Sequence, residues 1–274
     1  MLKELHIRSI WGILFAIALV GAIILGYYTF ASVFLILSVF ALREFYSLCV
    51  QGGFSPQVYP GLFAGVSIFV LSFFISDHSI SYKAYSYLLP LIYAIPVYEL
   101  FRNKKRPLAN IALTVFGIAY VSIPFSLLNF FVFPEFEGTD TYHYGLLISL
   151  FIFVWASDTG AYIIGVRFGR HRLFERISPK KSWEGLIGGV LTAIAAAWIL
   201  TLVFPQYSFL FMGIIAIVVV ISGTLGDLVE SMIKRSIGVK DSGRFMPGHG
   251  GLLDRFDSIL LASPIIYFML QILR

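Results

Sequence analysis

Four aspartates in the second half of the chain stand where a carboxylate is either costly or well placed to meet a cation. Asp158 lies inside a long apolar stretch, nine residues before Arg167, about 13 Å away if both sit on one helix. A carboxylate in such surroundings usually lines a cavity or serves an ion. The hydroxyls of Ser157 and Thr159 beside it can help hydrate or orient what it holds, although a structural pairing would also account for it. Asp227 follows Gly226 at the end of another apolar run, where a helix dipole opposes negative charge and a cation offsets it. Asp254 opens the last apolar run, in a first helical turn that suits a carboxylate. Asp257, three residues on, shares its helix face, while Arg255 points elsewhere. Asp257 therefore reads as a ligand, as an orienting group or as a neighbour of Arg255. Glu230 repeats the same spacing from Asp227 but pairs equally well with Lys234 at i+4, as a surface feature. A loop that folds back on itself would bring Asp227 and Asp254 together as ligands of a hard divalent cation, with Asp158 as a further donor. Cys49 is the only cysteine, which excludes an intramolecular disulfide and a multi-cysteine metal site.

Cations with the complementary task lie close by in sequence. Lys180, Lys181, Lys234, Arg235, Lys240 and Arg244 can neutralise phosphate groups, and arginine does so bidentately. Substrate contact is the expectation for Lys181, Lys234, Arg235 and Lys240; for Arg167, Arg170, Arg172 and Arg176 membrane topology explains the charge better. Ser182 is placed to cap a helix whose first N–H groups would face an anion. Gly248, Gly250 and Gly251 flank His249 and would let the main chain approach a ligand closely. His249 itself can donate a hydrogen bond to phosphate, relay a proton or serve only the structure.

The elements that must position these groups are membrane helices. Of the 274 residues 58% are hydrophobic and 13% charged, against about 45–50% and about 25% in soluble domains. A hydrocarbon core of about 30 Å takes about 20 apolar residues per helix. Apolar runs alternate with polar breaks to predict an all-α polytopic protein of about nine spans: 10–27, 29–48, 58–76, 80–100, 110–132, 144–166, 185–204, 208–228 and 256–273. The first is expected to be a retained span, because no small-residue cleavage site follows it. An N-terminus in the cytoplasm and a C-terminus outside put nearly every basic residue inside, including Arg102, Lys104, Lys105 and Arg106, and leave Lys83 and Arg274 outside with the acidic loop of Glu135, Glu137 and Asp140. The chain then divides into 1–143, with about five spans, and 144–274, with about four spans and cytoplasmic loops 167–184 and 229–255. The net charge of +5 falls in short loops, so it speaks for orientation in a cell membrane rather than for nucleic acid. A homo-oligomer stays open. Tyr27, Tyr28, Trp183 and Tyr207 read as interfacial aromatics.

The stretch from Ser231 to Asp257 is too polar and glycine-rich to be a mere link. It resembles the signature of phosphatidate cytidylyltransferases, with Ser231, Ile233, Lys234, Arg235, Lys240, Asp241, Gly243, Pro247, His249, Gly250, Gly251, Asp254, Arg255 and Asp257 at its fixed positions. Met246 departs from it by an apolar exchange that alters packing rather than chemistry. Ser157 to Tyr162 and Ser178 to Gly185 resemble two shorter segments of the same family, in the same order. The resemblance covers about the last 120 residues; the N-terminal half offers span count alone. It implies a membrane nucleotidyltransferase that takes CTP and phosphatidate to CDP-diacylglycerol and pyrophosphate, with Mg²⁺ and room for a second cation, its site open to the cytoplasm and the bilayer. Catalytic roles are then expected for Asp158, Asp227, His249, Asp254 and Asp257. Substrate contacts are expected for Lys181, Ser182, Lys234, Arg235, Lys240, Asp241, Gly250 and Gly251. A CDP-archaeol synthase or a CTP-dependent polyprenol kinase would use similar residues. An ion-coupled transporter would explain Asp158 but not the 231–257 segment.

Overall fold

Apolar chain in lipid can satisfy its backbone polar groups only within helices or a closed barrel, and helix is what this sequence forms. The computed structural model describes residues 2–133, 141–243 and 250–272. His249 lies outside the described residues, as do Arg244, Met246 and Pro247 and the acidic loop positions Glu135, Glu137 and Asp140. Among the described residues, eight helical runs are long and apolar enough to cross a membrane, and the chain is a polytopic helical membrane protein.

Two units divide the chain, residues 1–142 with 236–256 and residues 143–235 with 257–274. In the first, α1 (Leu2–Ile24), α2 (Tyr27–Gln51), α3 (Val58–Ser76) and α4 (Leu88–Arg102) precede a long helical run. That run passes from α5 (Pro107–Gly117) through a π turn, Ile118–Ser122, into α6 (Ile123–Leu127). Pro124 has no N–H to give its ladder, and the wide turn just before it absorbs the mismatch. The expected first span over 10–27 ends earlier than predicted: α1 stops at Ile24, and Gly26, at φ 125°, breaks the helix before α2. Phe30, Phe34 and Phe45 are fully buried along α2.

A polar knot sits inside this unit. Glu99 is buried and accepts hydrogen bonds from Gln57 Nε2 at 2.7 Å, Asn110 Nδ2 at 2.9 Å and Arg102 Nη1 at 2.8 Å. Arg102 also donates to the Ser55 carbonyl at 2.8 Å, so one carboxylate ties the ends of α4 and α5 to the segment before α3.

The second unit holds α7 (Gly145–Phe168), a hairpin of β1 (Arg172–Phe174) and β2 (Ser178–Ser182), α8 (Trp183–Val203), most of α9 (Phe209–Ile237) and most of α10 (Leu253–Ile272). The hairpin corrects the expectation that 167–184 is simply a loop. Likewise α9 runs past the expected end at 228 to Ile237, placing Lys234 and Arg235 in a helical last turn. Tyr207, expected at a membrane interface, is buried beside Phe204 and stacked on Phe211. α7 and α8 pack through small residues, as membrane helices do. A side chain at Gly188 would overlap Ile164, and Thr192 Oγ1 reaches across to the Ala156 carbonyl at 2.9 Å.

Candidate active site

Three elements of the second unit bring opposite charges together. β2 supplies Lys181, whose Nζ lies 2.5 Å from Asp227 Oδ2 on α9. Ser231, one turn further along α9, donates to Asp227 Oδ1 at 3.2 Å. Asp257 comes from α10, and its Oδ1 accepts the Ser258 N–H at 2.6 Å. α9 and α10 approach closely here because residue 226 is glycine: a Cβ there would strike the Asp257 carbonyl oxygen. Ligand atoms of Asp227, Glu230 and Asp257 all lie within 4.8 Å of one another. Asp158 on α7 and Lys181 both act on Asp257 through space, so four of the expected or adjacent charges share one field.

Asp158, Lys181 and Asp227 border a cavity of about 510 Å³ inside the unit. Asp158, Asp227, Lys181 and Arg172 stand on its wall, along with Ser182, while Val154, Val219 and Val220 make another part of the lining apolar. A cavity with both kinds of wall suits an amphipathic ligand carrying phosphate.

The hairpin holds Lys181 in place. Its strands pair antiparallel, Arg172 opposite Ser182 and Phe174 opposite Ser178. Ser182 is the N-cap of α8, as its sequence position predicts, and accepts the Gly185 N–H at 3.1 Å. Glu184 turns back on the hairpin, accepting the N–H groups of Arg170 and His171 at 3.2 Å and meeting His171 Nδ1 at 2.6 Å. Lys181 thus sits between a capped helix start and a clamped strand.

The remaining expected residues are not among those that line the cavity. Lys234 is paired with Glu230 at 2.6 Å, and both are buried, at 8% and 0% exposure, which corrects the surface reading of that pair. Arg235 and Lys240 are exposed, as is Asp241. Asp254, Asp241, Gly250 and Gly251 belong to the first unit. There Asp254 Oδ2 accepts the N–H of Gly251 at 2.7 Å and of Ser242 at 3.1 Å, and Gly250 takes a left-handed φ of 79° that its missing side chain allows.

Three residues take places in the structure that the sequence does not assign to them. Arg172 was assigned to topology, yet lines the cavity because the hairpin carries it there. Glu230 joins the acidic cluster. Glu44, in the C-terminal half of α2, accepts the Leu253 N–H at 2.8 Å. Arg172 and Glu44 carry no local signal for these contacts, which lie across long sequence separations.

The donor set at Asp227, Glu230 and Asp257 consists of carboxylate oxygens alone, which fits a hard divalent ion such as Mg²⁺ and not a thiolate- or imidazole-seeking metal.

Together these features form a cavity bordered by carboxylates, cations and apolar side chains in a helical membrane protein. The chain belongs to the cytidylyltransferase family, whose pattern matches residues 6–273. It is 30% identical to a phosphatidate cytidylyltransferase of Staphylococcus haemolyticus over 97% of this chain and 99% of that protein. A Mycobacterium leprae protein of the same name is 42% identical over 61% of this chain and 51% of its own length. A third, from Bacillus subtilis, is 40% identical over 52% of this chain and 54% of its own length.

Proposed function

We infer that the chain transfers the cytidylyl group of CTP to phosphatidate, making CDP-diacylglycerol and pyrophosphate. A phosphate oxygen of phosphatidate forms the new bond to the α-phosphorus of CTP; the bond from that phosphorus to the β-phosphate bridge breaks, and pyrophosphate leaves. The attacking oxygen is already ionised near neutral pH, so no protein base is required. Lys181 and Arg172 neutralise phosphate charge, and Ser182 with the first N–H groups of α8 orients a phosphate oxygen. The apolar wall of Val154, Val219 and Val220 accommodates the start of an acyl chain. Asp227 and Asp257 would hold Mg²⁺, with Asp158 in the same field. Bound there, the ion offsets charge on the polyphosphate and the leaving group. Asp254, from the signature segment, is retained as a catalytic carboxylate, and His249 as a phosphate donor, on sequence grounds. The site opens to the cytoplasm, in keeping with the distribution of basic residues.

The observation that carries this reading is the Lys181–Asp227 contact on the wall of a cavity that is partly apolar, in a chain of this family. Purified full-length protein, given CTP and Mg²⁺, should release pyrophosphate only when phosphatidate is added, with CDP-diacylglycerol as the lipid product. Release with a polyprenol or an archaeal ether lipid but not phosphatidate would replace the acceptor. No CTP turnover with any lipid would reject the reading.

A further inference from the structure

We propose that Glu44, on α2, is a positioning residue for Asp254: an acid from the N-terminal half holds the start of α10 and with it the signature carboxylate. Glu44 Oε2 accepts the N–H of Leu253, a residue 209 positions later and the first of α10, at 2.8 Å. The first N–H groups of a helix have no partner inside it. A carboxylate at that point both satisfies one of them and complements the helix dipole. Asp254 is the next residue, and its own carboxylate draws in the N–H groups of Gly251 and Ser242. Two acids thus organise one short turn, Glu44 anchoring the helix start and Asp254 closing the turn above it.

Glycines of the signature make room for this acid. A Cβ at Gly243 or at Gly251 would overlap Glu44 Oε1, and at Gly251 it would also meet the Ser242 hydroxyl. Gly251 was expected to be small so that the main chain could approach a ligand. In the structure the space beside it is filled by the Glu44 carboxylate. The side chain reaches from a helix whose other contacts are largely aromatic and aliphatic, so its polar end is spent on the signature turn.

The proposal rests on Asp254 serving the reaction, and the test separates the two claims. Turnover of purified full-length protein is measured for Glu44→Ala, Glu44→Gln and Gly243→Ala, alone and with Asp254→Asn or Lys181→Ala, alongside thermal unfolding in detergent. Glu44→Ala should lower kcat by about tenfold, and Glu44→Gln, which keeps an oxygen acceptor for Leu253, should recover to within about threefold. Residues acting as a unit are non-additive, so Glu44→Ala should cost less than about twofold in the Asp254→Asn background and its full amount with Lys181→Ala. Gly243→Ala displaces Glu44 without removing it; it should lower turnover similarly and add little to Glu44→Ala. Wild-type turnover in Glu44→Ala, an equal loss in every background, or Glu44→Gln as poor as Glu44→Ala would each overturn the positioning role. If Glu44→Ala does not fold, the Glu44→Gln and Gly243→Ala pair still decides it, since wild-type turnover in Gly243→Ala contradicts the proposal. Unimpaired Asp254→Asn would instead reject the catalytic reading of Asp254 on which it stands.

Discussion

Lys181 Nζ lies 2.5 Å from Asp227 Oδ2, joining a strand of the hairpin to the middle of α9. Neither residue is deeply buried, so the contact stands at the cavity wall, where a phosphate can exchange with a carboxylate for the ammonium. Lys181→Ala should raise KM for CTP by about ten- to a hundredfold, the range set by one charge-assisted hydrogen bond. Steady-state pyrophosphate release at varied CTP measures it; an unchanged KM would return Lys181 to a topological role.

Asp227→Asn and Asp257→Asn each remove a charge from the oxygen cluster while keeping its shape. A metal-assisted step contributes several kcal/mol, so each should lose at least about a hundredfold in kcat. The double variant should lose little more than either single one, because both serve one site. Chelation of divalent cations should abolish wild-type activity, and Mg²⁺ should restore it. A well-folded Asp257→Asn protein with more than about a tenth of wild-type turnover would confine Asp257 to an orienting role.

Gly226→Ala places a methyl group against the Asp257 carbonyl oxygen. The backbone of α10 must then shift away from α9, separating the carboxylates. Activity should fall by about tenfold or more while the protein still inserts, since the overpacking cost is about 1–3 kcal/mol. Comparing turnover with the detergent unfolding midpoint distinguishes loss of the site from loss of the fold.

Glu99→Ala empties the centre of the knot formed by Gln57, Arg102 and Asn110. Removing the acceptor these three donors share, and the charge that balances Arg102, should destabilise the first unit by about 3 kcal/mol, although each keeps a main-chain acceptor. Unfolding in detergent reads this as a lower midpoint, whereas KM for CTP should stay near wild type, because Lys181 and the cavity belong to the other unit.

Cysteines placed singly in 101–107, 167–184 and 229–255, in a Cys49→Ser background, should all resist an impermeant thiol reagent applied outside intact cells. Labelling of any one of them would separate that segment from the cytoplasmic side and from CTP.

Much of this protein follows from residue type and local spacing. Apolar runs long enough to span lipid dictate helices, because nothing else local satisfies the backbone there. The Ser182 cap is legible because capping depends on a few consecutive residues. The i+4 pair of Glu230 and Lys234 is legible for the same reason, although its burial was not. The aspartates could be singled out because a carboxylate beside so much hydrocarbon needs a reason to be there.

Tertiary structure decided which of these groups meet. Helical periodicity tells which residues share a face, but not which helix packs against that face. Asp227 and Asp257 share a site because Gly226 lets α10 approach α9, and Arg172 joins the cavity because a short hairpin, not a loop, follows α7. Glu44 is the extreme case: its sequence neighbours do not indicate its partner, and that partner, the Leu253 N–H, exists as an unpaired donor only once α10 has formed.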